Sequence, residues 1–315
     1  MNFLALLLGL AVERMLTHLF HLRAFKWLDP LLDAFLRRLQ AAPGASGGSL
    51  RKAAAIALTC VLAALLVLPV ALLAAALHDE MLQIPYFLFS VVVLLFSLGP
   101  RDLDDEVEEY LAALQSDDEA ARLQVAAQLL ESPSPVPLAK DNEAIERAIY
   151  VQANNRIFGV VFWFLVLGPS GAWAFRVLDL LRHRVALKSA TLRVQEPEPG
   201  EVPVSAMAAV RLVHGLFAWV PSRLLALGYA LAGNFEDAIA GWRNRGREAT
   251  LPLADGSAEI MARVGTAASG RGALDASDRE EAMDRVRGAR ALVMRTLWMI
   301  WCPVIAVLTL YDWVA

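Results

Sequence analysis

Residues Ala53–Leu77 read AAAIALTCVLAALLVLPVALLAAAL, 25 consecutive positions without a charge. A helix on the surface of a soluble domain turns a polar face to water every turn. This stretch has none, and it exceeds the roughly 20 apolar residues that cross about 30 Å of hydrocarbon. After a short turn, Met81–Gly99 adds 19 more uncharged residues. The rest of the chain has the same character. Of 315 residues, 57% are hydrophobic and 20% charged, with a mean hydropathy of +0.47. Soluble domains average about 45–50% apolar and about 25% charged residues. These numbers exclude a soluble enzyme, a disordered regulator and a secreted disulfide scaffold. They predict an all-α polytopic integral membrane protein in contact with the lipid bilayer. The net charge of −4 offers no basic surface for nucleic acid. Cys60 and Cys302 both fall in apolar runs, where cysteine behaves as a small hydrophobe.

Four clean spans are predicted, at about 1–22, 53–77, 82–99 and 291–311. The first is read as retained, because Met1–Val12 lacks the basic flank and cleavage site of a signal peptide. It carries Glu13, Thr17 and His21 on one helical stripe, with Arg14 and His18 beside it. Charges at that depth face a bundle interior or cavity, or else snorkel from an interfacial end; both readings stay open. Residues 28–39 put Leu28, Leu31, Leu32, Phe35, Leu36 and Leu39 on one face and Asp33, Arg37 and Arg38 on the other, the pattern of an interfacial helix. Six basic residues, Arg23 to Lys52, precede the Ala53 span, while the turn after it is acidic. The positive-inside rule therefore puts residues 23–52 in the cytoplasm and returns the chain there at Pro100.

Residues 101–156 hold thirteen acids and five bases and read as acidic cytoplasmic helices. Ser116-Asp117-Asp118-Glu119 looks like a capping box opening the second of them, and Asp141 like the cap of a third. The Asp102–Glu109 acids could bind a metal, but such a run is more often a solvated first turn favoured by the helix dipole. Residues 157–233 form two interrupted membrane segments. In the first, Gly168-Pro169-Ser170-Gly171 breaks an apolar run, and five bases follow it by Arg193. A crossing there would put those bases outside, so a broken or re-entrant helix is expected. In the second, Arg211, His214, Pro221 and Arg223 punctuate residues 204–233. Residues 234–290 read as a cytoplasmic loop and helix, and 291–315 as the C-terminal membrane helix anchored by Trp298, Trp301 and Trp313.

Familiar catalytic motifs are missing. No Gly-Lys pair exists for a phosphate-binding loop, no Ser has the spacing of a nucleophile elbow, and His18 and His21 lack the Cys or carboxylate partners of a metal site. What stands out is a set of polar residues at membrane boundaries: Glu13, Arg14, Arg101, Asn154, Asn155, Arg176, His214 and Arg223. These are the candidate ligand-binding residues. Guanidinium groups grip phosphate and carboxylate bidentately, so an anionic ligand in a cytoplasm-facing cavity is the expectation. Taken one at a time, such arginines also suit lipid phosphates.

Several stretches resemble a known family. Val12-Glu13-Arg14-Met15-Leu16, Trp27-Leu28-Asp29-Pro30-Leu31, Phe162-Trp163-Phe164 before Gly168-Pro169, and Trp219-Val220-Pro221-Ser222-Arg223-Leu224 through Tyr229-Ala230-Leu231-Ala232-Gly233 are similar to AmpE. The resemblance implies a bacterial inner-membrane modulator linked to β-lactamase induction and peptidoglycan recycling. It also implies a muropeptide or nucleotide-type ligand and other cell-wall recycling proteins as partners. AmpE in turn resembles CobD-type cobalamin synthases, whose basic residues look like Arg101, Arg176 and Arg223 here. Their acidic positions fall instead at Leu129-Leu130-Glu131, Val151-Gln152 and His214-Gly215. A ligase using ATP needs carboxylates for magnesium, so the resemblance implies anion binding retained without catalysis, and no cofactor. Two alternatives remain: an ATP- and Mg2+-dependent transferase or ligase using Glu131 and the Asp102–Glu109 acids, and a transporter of cell-wall fragments.

Overall fold

The computed structural model describes residues 29–41, 48–78, 84–98, 103–116, 118–131, 142–195, 204–244, 253–270 and 279–307. Every regular element among them is helical. The predicted first span, with Glu13 and Arg14, lies outside the described residues, as does Arg101. In chain order the helices are α1 (Asp29–Ala41), α2 (Gly48–His78), α3 (Ile84–Ser97), α4 (Leu103–Ser116), α5 (Glu119–Leu129), α6 (Asn142–Ala153), α7 (Gly159–Gln195), α8 (Val204–Ala232), α9 (Phe235–Arg243), α10 (Leu253–Ala268) and α11 (Arg279–Arg295). Two π-helical turns, Asn154–Phe158 and Thr296–Trp301, extend α6 and α11.

Among the described residues, four helical stretches are long and apolar enough to cross a membrane: Lys52–Leu77, Asn142–Leu187, Met207–Ala232 and Arg279–Val307. The chain is a multi-pass membrane protein. Along α2, Val61, Leu65, Leu68 and Leu72 are more than half exposed, the surface expected of a helix facing lipid. The apolar run at 82–99 forms the shorter α3, 14 residues, with the helix-stopping pair Gly99-Pro100 after it in sequence.

The two interrupted segments behave differently. In α7 the backbone leaves the helix at Gly168 (φ 68°, ψ −157°) and resumes at once. Pro169 bars the α conformation to the residue before it, and glycine accepts a positive φ without strain. Across 204–233, α8 runs as one helix with Pro221 inside it. The interruption expected there is one of hydropathy only: Arg211, His214 and Arg223 are polar side chains on an unbroken backbone.

In the acidic region the cap of α5 is Asp118, not Ser116. Asp118 sits in the extended region and accepts from Ala121 N at 2.9 Å. Ser116 closes α4 instead, donating its hydroxyl to Ala112 O at 3.0 Å. The Asp141 cap lies outside the described residues.

The chain divides into two compact units, one of residues 1–100 and 159–217, the other of 101–158 and 218–315. In unit 1, α7 packs on α2 and α3 around Leu62, Val93, Trp173, Val177, Leu181 and Val210. Helix α1 turns Leu32 and Phe35 into that core, and Arg184 of α7 donates to both carboxylate oxygens of its Asp33 at 3.0 and 3.1 Å. In unit 2, α6 packs against α10 and α11, and Tyr110, Tyr150 and Tyr229 are fully buried. The α9–α10 pair closes through Asn234, whose side chain caps α9 and whose N–H donates to Ala268 O at 2.8 Å.

Candidate functional site

Beyond the Gly168 kink, α7 carries Arg176, Asp179 and Arg182 at steps of three, so all three share a helix face. Arg176 Nη1 donates to Asp179 Oδ2 at 2.9 Å. Arg182 donates to Oδ1 through Nη2 at 2.7 Å and Nε at 3.2 Å. From α8, His214 Nε2 lies 3.8 Å from the same oxygen, its ring 5.6 Å from that of Phe175. Arg176, Asp179 and His214 are each no more than 4% exposed. Burying an ion costs several kcal/mol unless partners repay it, so this is a committed arrangement. Each guanidinium has five N–H donors; Asp179 takes one from Arg176 and two from Arg182. Two guanidiniums and an imidazole thus gather on one buried carboxylate, and a guanidinium is the side chain best shaped to grip a carboxylate or phosphate.

Unit 2 holds a different set of ion pairs, of which Arg156–Glu106 and Arg285–Glu146 are buried and the Arg290 pairs partly exposed. Arg156 Nη1 donates to Glu106 Oε2 of α4 at 2.7 Å, and its Nε to Gln152 Oε1 at 3.2 Å. Gln152 in turn donates to Leu129 O at 3.2 Å, tying in α5. Arg285 of α11 lies 3.5 Å from Glu146 of α6, whose other oxygen accepts from Tyr150 Oη at 3.3 Å. Arg290 grips Asp104 and Glu108 of α4. Asp104, Glu106 and Glu108 are thus engaged as helix-joining partners of arginines rather than forming only a solvated first turn. Among the described residues, no group of three or more His, Cys, Asp or Glu is placed to hold a metal ion.

Of the residues expected to bind a ligand, Arg176 and His214 come together in unit 1. Asn154, Asn155 and Arg223 belong to unit 2. Asn154 Nδ2 donates to Asn155 Oδ1 at 3.4 Å. Arg223 folds onto its own helix, 4.3 Å over the Trp219 ring and donating to Trp219 O at 3.0 Å. Sequence reading passed over Asp179 and Arg182, which complete the unit 1 cluster. The signal was present as Arg-x-x-Asp-x-x-Arg, the spacing that stacks opposite charges on a helix.

Comparison with known proteins agrees with this architecture. The family described as "Regulatory signalling modulator protein AmpE" matches residues 1–314. A cobalamin biosynthesis protein CobD of Stutzerimonas stutzeri is 28% identical over 164 residues, 50% of this chain and 49% of that protein. Another CobD, of Chromobacterium violaceum, is 29% identical over 241 residues, 75% of this chain and 68% of that protein. The chain thus spans about half the length of the first of these relatives and about two thirds of the second. No solved structure matches. With a match that runs from the first residue to the last but one, the chain belongs to the AmpE family.

Proposed function

We propose that this protein is an inner-membrane modulator that responds to an anionic ligand gripped by Arg176 and Arg182, with His214 beside them. The observation that carries the reading is the buried cluster itself, two guanidiniums and an imidazole around one carboxylate in a membrane-spanning region. A phosphate or carboxylate group matches the guanidinium fork in shape and charge. Muropeptides and nucleotide-linked cell-wall fragments both carry such groups. The family description, a regulatory signalling modulator, supports sensing over turnover. The family name likewise carries the inner membrane, β-lactamase induction and peptidoglycan recycling into this reading.

The test is thermal unfolding of the purified protein in detergent, with inorganic phosphate, a nucleotide and muropeptides as probes. A ligand at 100 times its Kd adds about 2.7 kcal/mol, a shift easily read. The expected result is stabilisation by one of these anions, lost in Arg176→Ala and Arg182→Ala. Absence of any shift, with both variants leaving β-lactamase induction intact, overturns the proposal.

The second reading, a ligase of cobalamin-synthase type, is favoured by the likeness to CobD proteins. Its weakness lies in the carboxylates. Asp104, Glu106 and Glu108 are engaged by Arg290 and Arg156, whereas magnesium-ATP chemistry needs acids turned to the metal. Magnesium-dependent ATP turnover that disappears in Glu106→Gln and Glu131→Gln would promote it.

A further inference from the structure

The two π turns, Asn154–Phe158 and Thr296–Trp301, both lie in unit 2. Such turns are rare and gather at functional sites. The same device accompanies each. In an α-helix the N–H of Asn154 would bond to Tyr150 O, and that of Thr296 to Leu292 O. Here Tyr150 O accepts the phenol of Tyr229 at 3.0 Å, and Leu292 O accepts the hydroxyl of Thr296 at 2.8 Å. A side-chain hydroxyl stands at the carbonyl from which each turn departs.

The turns also touch. The Phe158 and Trp301 rings are 4.9 Å apart. Trp301 and Thr296 lean on Gly228 of α8, where a Cβ would sit 2.5 Å from Trp301 Nε1 and 2.6 Å from Thr296 Cγ2. Only glycine admits this approach. Asn154 and Phe158, four residues apart, share a helix face, so the Asn154 amide stands one turn from the Phe158–Trp301 contact. Asn154 is wholly buried. Among the described residues its Oδ1 meets no hydrogen-bond donor, and the buried Trp301 Nε1 meets no acceptor. Burying such groups unmade is costly. One is an acceptor and the other a donor. The neighbouring charge, Arg156, is already matched to Glu106. Leu227 and Leu231 of α8, with Trp298 and Met299 of the second π turn, present exposed apolar surface close by in the chain.

We propose that the two π turns frame a binding site for the neutral head of an amphiphile drawn from the bilayer. Its hydroxyl or amide donates to Asn154 Oδ1 and accepts from Trp301 Nε1, while its tail lies along the exposed apolar side chains. The site differs from the Asp179 cluster in residues and in chemistry, and it does not rest on an anion binding there.

The full chain in phospholipid nanodiscs, labelled with 5-fluorotryptophan, provides the test. The Trp301 resonance is assigned by its loss in Trp301→Phe. A monoacylglycerol, whose head both donates and accepts, is titrated in, beside the matching fatty-acid methyl ester, which only accepts. The expected result is a saturable shift of the Trp301 signal with the monoacylglycerol and weaker binding of the ester. Asn154→Leu should weaken monoacylglycerol binding about tenfold, the scale of one net hydrogen bond. Gly228→Ala should move the Trp301 signal without ligand and abolish the response. Arg176→Ala should leave the titration unchanged, separating this site from the proposed anion site. The inference is overturned if the Trp301 signal ignores the monoacylglycerol, if Asn154→Leu, still melting cooperatively, binds it equally well, or if the signal responds only to D2O exchange, the mark of a buried water.

Discussion

Both units bury arginines, but they use them differently. In unit 2 the partners come from different helices: Arg156 reaches Glu106 fifty residues away, Arg285 reaches Glu146, and Arg290 reaches Asp104. Each guanidinium meets at least one carboxylate, so charge is matched and the pairs lash α4, α6 and α11 together. In unit 1 the guanidiniums of Arg176 and Arg182 meet a carboxylate three residues along the same helix. That arrangement adds little to tertiary cohesion, because the helix already fixes the distances, and it gathers two guanidiniums on one carboxylate. A pair between helices is architecture. A charged cluster within one helix, buried in a membrane protein, makes sense as a site.

The sharpest way to break this contrast is Glu106→Ala. It strands the buried Arg156 guanidinium, and breaking one side of a buried pair costs about 3–5 kcal/mol. Thermal unfolding in detergent should show the largest drop of any substitution considered, with Arg156→Ala close behind. If Glu106→Ala melts like the wild type, the unit 2 pairs are not architecture.

Arg182→Ala is the matching change in unit 1 and should cost less, about 1–2 kcal/mol, because Arg176 and His214 remain on Asp179. Its larger effect should fall on anion-induced stabilisation. A stability loss equal to that of Glu106→Ala would erase the distinction between the units. Smaller still is Asp33→Ala, which releases α1 from Arg184. Both side chains are about one quarter exposed, so solvent screens the pair and the expected loss is about 0.5–1 kcal/mol. The same melting series measures it.

How far the sequence disclosed these features depended on the range of the interaction. The span at Ala53–Leu77 follows from uncharged length, which is local, and the break at Gly168-Pro169 is local too. The amphipathic α1 was legible within one or two residues from its own periodicity. The Arg176–Asp179–Arg182 cluster is also local, three residues per step, yet of the three only Arg176 stands out in the sequence, because Asp179 and Arg182 join it only when the charges are placed on a helix. The unit 2 pairs were out of reach. Nothing in the run Asp102–Glu109 says that Glu106 turns inward to an arginine fifty residues on while its neighbours meet α11. The cap of α5 shows a limit of another kind: Ser116 and Asp118 both suit an N-cap, and the choice turned on where α4 happened to end.

The smallest expected effect has the opposite sign and tests whether unit 2 matches its polar groups as fully as its charges. Tyr110 is fully buried on α4, one turn from Glu106, and its hydroxyl meets no hydrogen-bond partner among the described residues. Tyr110→Phe removes a group that gains nothing from burial, so near neutral pH it should leave stability unchanged or raise it by up to about 1 kcal/mol. Alkaline pH amplifies the difference. Burial pushes the Tyr110 phenol above its ordinary value of 10.0, against the pull of Arg122. A raised acid constant means that the unfolded chain ionises first as pH passes about 10. The wild type therefore keeps its full stability below that point and loses it above, by at most about 1.4 kcal/mol per pH unit from this one group. Tyr110→Phe should lack that share of the decline, which unfolding measured between pH 8 and about pH 11 would read directly. A variant that declines in parallel with the wild type, or that is destabilised by more than about 1 kcal/mol at neutral pH, would mean that the hydroxyl is bonded after all, and that unit 2 pairs its polar groups as closely as its ions.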